Sequence, residues 1–526
     1  MGKRTARRDR TRLRAVGRRG VRKAAGRAVL RFRRRSLSVQ LRTIAVLVVT
    51  AAGLGVYVAS APSAPSESQA VAVGTSQGAG SAGGTETGAS VLSHASTSTR
   101  GIVGNTINVV FPVVSLNSLA GRIGFAEDVE FGEQTKAIHL FVDQVNAEGG
   151  IHGRKIHPII VTFTPANTSE MRSLCKDWTQ GSPAAFAVLD GFGTWTGTNQ
   201  LCITQEGHTP LLSAWTTVTK WTTLGAPYLW WIGPDQAPIL QATVDWGLAT
   251  HLIGGSKRVA VIAGNDASDQ AALTDDLLPD LARAGISPIV ETIDANPTDT
   301  ATTNAEAPLI VQELRSDGVT SVIPLMSFNA LYPVLQAETE QNFYPRLLLS
   351  DYQSTIESAL GLIPVPYEKA LNGQEGVTTE TLGGIDDNRP ESQGGYDPGV
   401  RSCFDTWHKA YPQVPKGNQN FYIEEQGPVQ SWCIAIKLFA TAARDAGPDL
   451  NRRTFVEAMS RITDFPGGFS PTLTYGVDKY YGPTEYRVVK LHNNVPPSPA
   501  CKMPKDHIPQ GRCWVVVKTW QPLPPA

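Results

Sequence analysis

The sequence predicts an α/β protein built from two doubly wound, parallel-sheet units in series. Three observations carry this reading: short continuous apolar runs such as "INVVFPV" (107–113), helix-period stripes between such runs, and a restart of the same alternation after residue 234. Apolar runs of strand length fit strands covered on both faces, and strands separated by helices pair in parallel through crossovers. With 526 residues and 41% hydrophobic content, the chain can bury more than one core.

Charge separates the N-terminus from everything that follows. Lys+Arg and Asp+Glu each total 47, yet residues 1–42 hold 17 Lys/Arg and one acid, Asp9, leaving 61–526 with a net charge of −16. Thr43–Ser60, "TIAVLVVTAAGLGVYVAS", then runs eighteen residues without a charge, the lower limit for crossing a bilayer. Flanking Lys/Arg keep 1–42 cytoplasmic and export the rest. Segment 43–60 reads as a transmembrane anchor or as a signal h-region, because Ala59, Ser60 and Ala61 have the small-residue form that signal peptidase reads. The long basic run favours the anchor. The remainder is expected outside the cytoplasm, membrane-anchored or secreted. A basic run can bind nucleic acid, but next to a spanning segment it is assigned to topology, and no nucleic-acid partner is expected. Residues 61–104, rich in Ser, Gly, Ala and Thr, are expected to be a disordered linker.

The elements then follow in order. Phe131, Ile138, Phe141, Val142 and Val145 lie on one stripe of a helix, and Gly149 and Gly150 supply left-handed backbone where it ends. "IHPIIVTF" (156–163) returns as a parallel strand, completing a right-handed unit. A helix over 168–180, a strand over 184–193, a helix over 196–206 and a strand over 209–216 continue the pattern. "APYLWWIGPD" reads as an aromatic connection. The second unit has helices over 236–253, 268–284, 306–316 and 328–341, alternating with strands over 257–266, 287–294, 320–327 and 344–353. The last third departs from strict alternation: a strand over 373–381, helices near 396–411, 427–446 and 451–462, and two closing strands, "TEYRVVKLH" and "CWVVVKTW".

Six cysteines (175, 202, 403, 433, 501, 513), without any CxxC, suit an oxidising compartment. Sequence order suggests Cys175 with Cys202, Cys403 with Cys433 and Cys501 with Cys513, among the fifteen connectivities that six cysteines allow.

Gln144–Ile156, "QVNAEGGIHGRKI", resembles the helix-to-strand signature of type I periplasmic substrate-binding proteins, in the leucine/isoleucine/valine-binding branch that serves ABC importers. Asn146, Gly149, Gly150, Ile151, Gly153 and Ile156 stand at the positions of its N-x-x-G-G-I-x-G-x-x-[ILV] form. "DGFGTWTG", "EGHTPLLSAWT", "KRVAVIAGND" and "ATAARDAGPDLNRRTFVEAM" extend the likeness over about 105–495. The resemblance implies two lobes joined by three crossovers: lobe I from 105–233 and 384–465, lobe II from 234–383 and 466–526. It also implies that Cys175 and Cys202 flank the position of a lobe I disulfide. A ligand is expected in the cleft between the lobes, at the C-terminal ends of the strands, buried by hinge closure.

The resemblance also picks out ligand contacts. Gly193, Thr194 and Trp195 stand in the loop after the third strand, where free N–H groups at a helix start can receive a carboxylate. Ala214, Trp215 and Thr216 end the fourth strand, with Trp215 a candidate pocket wall. In lobe II, Asp351 and Tyr352 follow a strand where relatives place an acid facing an ammonium group. Relatives often carry Tyr after the first strand of lobe II; here Asn265, Asp266 and Ser268 stand there instead, and Ser327 and Phe328 offer a partial replacement. This puts a branched-chain amino acid ligand in doubt.

No GxSxG, HExxH, P-loop or post-strand GxGxxG pattern is present, so no enzyme and no cofactor are expected. His152 and His157, lacking further ligands, are expected to be structural or surface residues, with no metal. The expected function is an extracellular solute-binding protein of an ABC-type importer that closes on a small amino-acid-like or amide ligand and docks to a membrane permease. The alternative is a membrane-tethered receptor or structural module of the same fold that binds a peptide or cell-wall fragment without transport.

Overall fold

The computed structural model describes residues 88–114, 131–164, 167–191, 197–214, 218–296, 299–352, 368–380, 398–413, 429–466, 470–492 and 513–525. Thr43–Ser60, Cys501 and most of the expected linker lie outside them. Among the described residues no helix is long and apolar enough to cross a membrane.

Folding begins inside the expected linker. Helix α1, Gly88–Ser93, buries its Leu92 in the first lobe's core together with Ala95 just beyond it, and Ser98 O accepts from Arg452 N at 3.1 Å. Within the expected linker, residues 88–104 are part of the fold, because this stretch contains two apolar side chains that the core takes in.

The first sheet comprises β1 (Ile102–Val103), β2 (Thr106–Val114), β3 (Lys155–Phe163), β4 (Ala187–Asp190), β5 (Leu211–Ser213) and β6 (Leu229–Trp231). β3-β2-β4-β5-β6 run in parallel, and β1 turns back on β2. Helices α2 (Phe131–Ala147), α3 (Thr168–Gln180), α4 (Thr198–Leu201) and α5 (Thr219–Gly225) connect them, α4 running on into a π-helical turn over Cys202–Glu206. β2 is buried from Ile107 to Val114 because helices cover both its faces. β3 lies at an edge, where Pro158 is tolerated without a ladder N–H.

The second sheet repeats the winding. After α6 (Gln236–Ala249) come β7 (Val259–Gly264), α7 (Ala267–Ala271), a π-helical turn over Ala272–Leu277, α8 (Leu278–Arg283), β8 (Ile289–Ile293), α9 (Thr300–Ser316), β9 (Ser321–Leu325), α10 (Phe328–Gln341), β10 (Arg346–Ser350), α11 (Glu368–Leu371) and β11 (Glu375–Thr378). The chain then returns to the first lobe with α12 (Pro398–Ala410), α13 (Trp432–Asp445), α14 (Arg452–Met459), β12 (Phe465–Pro466) and β13 (Thr472–Leu473). It finishes in the second with β14 (Glu485–His492) and β15 (Cys513–Pro522). The second sheet's order is β15-β14-β11-β10-β9-β7-β8, with β14 antiparallel to both of its neighbours, β11 and β15, and the other pairs parallel.

Each lobe buries apolar side chains on both faces of its sheet. In lobe I, Phe111, Phe141, Phe186, Trp230 and Trp432 fill one face, and Cys175, Trp178, Cys202 and Trp231 the other. In lobe II, Val311, Leu335 and Leu349 mark one face and Leu240, Leu277 and Tyr352 the other. Disulfides join Cys175 to Cys202 within lobe I, and Cys403 of α12 to Cys433 of α13.

Three crossovers link the lobes: 232–235 between β6 and α6, one between the end of β11 and the start of α12, and a third before β14. The last comes later than the expected 465/466 boundary. Leu473, Tyr475 and Tyr480 are buried in the first lobe's core, with the Tyr475 ring edge-on to Trp230 at 5.8 Å and the Tyr480 ring tilted against it at 4.8 Å. Tyr481 still bridges to Trp231. The chain passes to lobe II only between Gly482 and Glu485.

Candidate ligand cleft

The Gln144–Ile156 signature has a local physical basis. Gly149 and Gly150 take φ of +102° and +69°, and a Cβ on Gly150 would sit 2.1 Å from Arg154 O. Asn146 Oδ1 accepts from Ile156 N at 2.8 Å and its Nδ2 donates to Ile156 O at 2.9 Å. The helix thus holds the first buried residue of β3 in register, and β3 in turn pairs with β2. His152 Nε2 donates to Arg444 O at 2.7 Å, a tie between α13 and this turn. Among the described residues no group of three His, Cys, Asp or Glu is placed to hold a metal ion.

In both sheets the chain winds outward to one side (β2 to β3, β7 to β8) and then to the other (β4 onward, β9 onward). The switch points therefore lie between β2 and β4 and between β7 and β9, where doubly wound sheets leave a crevice at the strands' C-terminal ends. Lobe I presents Asp190, Gly191, Ser213 and Ala214 there; lobe II presents Gly264, Asn265, Met326, Ser327, Asp351 and Tyr352.

Gly193, Thr194, Trp195, Trp215 and Thr216 lie outside the described residues. Ala214 is fully buried. Its N–H donates to Asp190 O and its carbonyl accepts from Gly233 N, both at 3.0 Å, so it couples the end of β5 to the first crossover. Asp190 is buried and accepts from Ser213 Oγ at 3.4 Å.

In lobe II, Asp351 is 4% exposed. Its Oδ2 accepts from Thr379 N at 2.7 Å and from Thr379 Oγ1 at 2.9 Å, which fastens the end of β10 to the end of β11. An ammonium group at this carboxylate would share it with two donors. Tyr352 is 1% exposed, and its hydroxyl donates to Asp269 in α7. Ser327 caps α10 without a side-chain bond, its carbonyl taking Ala330 N and Leu331 N. Among the described residues its Oγ has no hydrogen-bond partner. Phe328 opens α10. An uncommitted hydroxyl beside the unsatisfied N–H groups of a helix start can receive a ligand carboxylate or carbonyl.

Asn265 Oδ1 accepts from Ala295 N at 3.4 Å. Asp266 is the N-cap of α7, accepting from Ser268 N and Asp269 N, so both side chains brace lobe II itself.

Residues around the first crossover were not singled out by sequence. Asp235 is 1% exposed and accepts from Thr219 Oγ1, and from Thr222 Oγ1 at 2.7 Å; Trp231 Nε1 donates to Thr222 Oγ1 at 2.9 Å. Burial raises the Asp235 carboxyl above its ordinary value, against the pull of these bonds. In the last stretch before β14, Lys479 Nζ donates to Thr474 O at 2.6 Å and Gly482 O at 3.2 Å, over the Tyr481 ring. Burial pushes Lys479 down to about 7, with the charge of Asp235 acting the other way. The only local sequence signal was a run of hydroxyls and one Trp, "TTVTKWTT".

A family model described as periplasmic binding protein matches residues 127–493. Among solved structures, a fatty acid ABC transporter substrate-binding protein from Thermomonospora curvata is similar at 16% identity and a TM-score of 0.55, over 80% of this chain and 93% of that one. A solute-binding protein of an ABC transporter from Rhodopseudomonas palustris BisB5, in complex with 3,4-dihydroxybenzoic acid, is similar at 12% identity and a TM-score of 0.55, over 80% and 98%. A possible leucine/isoleucine/valine-binding protein from Rhodopirellula baltica SH 1 is similar at 15% identity and a TM-score of 0.53, over 73% and 94%. At these identities the structures share the fold. A search of the curated proteins gives no match.

Proposed function

Since the chain belongs to the periplasmic binding protein family, with the match spanning 127–493, we propose that it is the extracytoplasmic solute-binding component of an ABC-type importer. It closes two lobes on a small amino-acid-like or amide ligand and presents it to a membrane permease. The observation that carries this reading is the repeated winding: two sheets with the same switch-point order, joined by three crossovers, each ending its parallel strands in polar groups. The N-terminal segment holds the protein at the membrane or is removed on export.

On this reading lobe I contributes Ala214, with Trp215, Thr216, Gly193, Thr194 and Trp195 in the adjoining loops. Lobe II contributes the Ser327 hydroxyl and the start of α10. Asp351 and Tyr352 brace that wall through Thr379 and Asp269 and reach the ligand where it displaces those partners. A ligand carboxylate or amide carbonyl suits Ser327 and the helix N–H groups, which favours acids and amides over cations.

Isothermal titration of the exported portion against amino acids, short amides, urea, aromatic acids and fatty acids tests the proposal. A binding isotherm for an acid or amide, weakened at least about tenfold by Ser327→Ala, is expected; a lost hydrogen bond to a charged group is of this size. Silence across the panel would overturn it.

A further inference from the structure

The first lobe reaches the second through α5. Trp221 is 8% exposed and belongs to the same buried apolar cluster as Leu240, Val244, Leu273 and Tyr352 of lobe II. Its indole Nε1 donates to Ser268 Oγ at 3.0 Å, joining residues 47 apart in sequence and in different lobes. The residues on either side of Trp221 are tied down as well, because Thr219 and Thr222 give their hydroxyls to Asp235 at the start of α6.

Ser268 is held in place by the strand ends behind it. Asp266 fixes the first turn of α7 by accepting from Ser268 N at 2.8 Å and Asp269 N at 3.0 Å. Asp269 accepts from Tyr352, whose neighbour Asp351 grips Thr379. The indole therefore meets a hydroxyl that is rigidly coupled to the C-terminal ends of β7, β10 and β11. In this structure the bond lies inside an apolar surround; an opening that separates α5 from α7 returns the indole N–H and the serine hydroxyl to water. A bond made in only one of two states biases the population toward that state by its net worth.

Resting on the solute-binding reading, we propose that Trp221 is a closure latch: its N–H fastens lobe I onto Ser268 of lobe II and sets how much of the protein is closed before ligand arrives. It is a positioning residue, acting on the ligand through the lobes it holds together.

Small-angle X-ray scattering of the full-length, ligand-free chain, fitted as a mixture of open and closed forms, tests this. Trp221→Phe keeps an aromatic ring and removes the donor; Ser268→Ala removes the acceptor and leaves the Asp266 cap intact. Each is expected to shift the closed-to-open ratio toward open by about three- to tenfold, the range of one net hydrogen bond. The double variant is expected to go no further than either single one, because both changes break the same bond. A purely packing role for Trp221 would lower the melting temperature without opening the lobes. Unchanged scattering in both single variants, or additive shifts in the double, would overturn the latch. Its failure is separable from failure of the binding reading, since the titration above detects ligand whether or not the resting lobes are fastened.

Discussion

Asn146 and Gly150 show what a single side chain does for this fold. The amide spans both backbone groups of Ile156, and Gly150 has a Cβ-free approach to Arg154 O. Gly150→Ala is expected to destabilise lobe I by about 2–4 kcal/mol, combining left-handed strain with overpacking, measured as a drop in the urea midpoint. These two residues were legible because their requirements are local: a helix end and a turn are encoded within a dozen positions. Glu338 was not legible. It lies within α10, fully buried, with neither carboxylate oxygen hydrogen-bonded among the described residues, and burial raises its carboxyl well above the ordinary value. Its folded form binds a proton more tightly than the unfolded chain does. The stabilisation this brings is complete below the ordinary carboxyl range and is lost as pH rises toward the raised folded value. Glu338→Met, of similar length and without charge, is expected to raise stability at pH 7 by about 1–3 kcal/mol, the usual cost of an unsatisfied buried polar group, and to flatten the decline between acid and neutral pH. Denaturant titrations of both proteins at pH 4.5 and 7 check this.

Among elements, length and periodicity decided what could be read. α3 occupies Thr168–Gln180, the range expected, because a three-turn amphipathic helix repeats its pattern often enough to be recognised. β6 is three residues, Leu229–Trp231, and "APYLWWIGPD" read as a connection because so short a strand has no period of its own. α5 was missed for a different reason. Its threonines are weak helix formers, and the Asp235 carboxylate that engages two of them belongs to the following element. The disulfides sit where elements need stapling: Cys175–Cys202 joins α3 to the π-helical turn, and Cys403–Cys433 joins α12 to α13. Closing loops of 27 and 30 residues, each is expected to contribute about 2–4 kcal/mol. Replacing Cys403 and Cys433 together by Ala lowers the melting temperature accordingly, and an unchanged midpoint would show the pair to be dispensable.

For the molecule as a whole, the two-lobe plan was legible in the restart of the alternation after residue 234, whereas the residues that join the lobes were not. Trp221 and Ser268 meet only after both sheets have folded, and nothing in either neighbourhood announces the other. The first crossover carries Asp235, raised by burial, and the last carries Lys479, lowered to about 7. For Lys479 the folded value lies below the unfolded one, so stability gained above the unfolded range is lost as pH falls toward 7. Lys479→Met is expected to remove that contribution to the slope of stability between pH 7 and 10, which thermal melts across this range would register. The strand order has a further consequence for biogenesis. β11 pairs with β10 on one side and with β14 on the other, but β14 and β15 emerge from the ribosome only after the helices α12–α14 of the other lobe. Until then the nascent chain carries β11 as an open edge, the kind of surface that mispairs with a neighbouring polypeptide. Maturation must therefore shield that half-built sheet until the last two strands arrive.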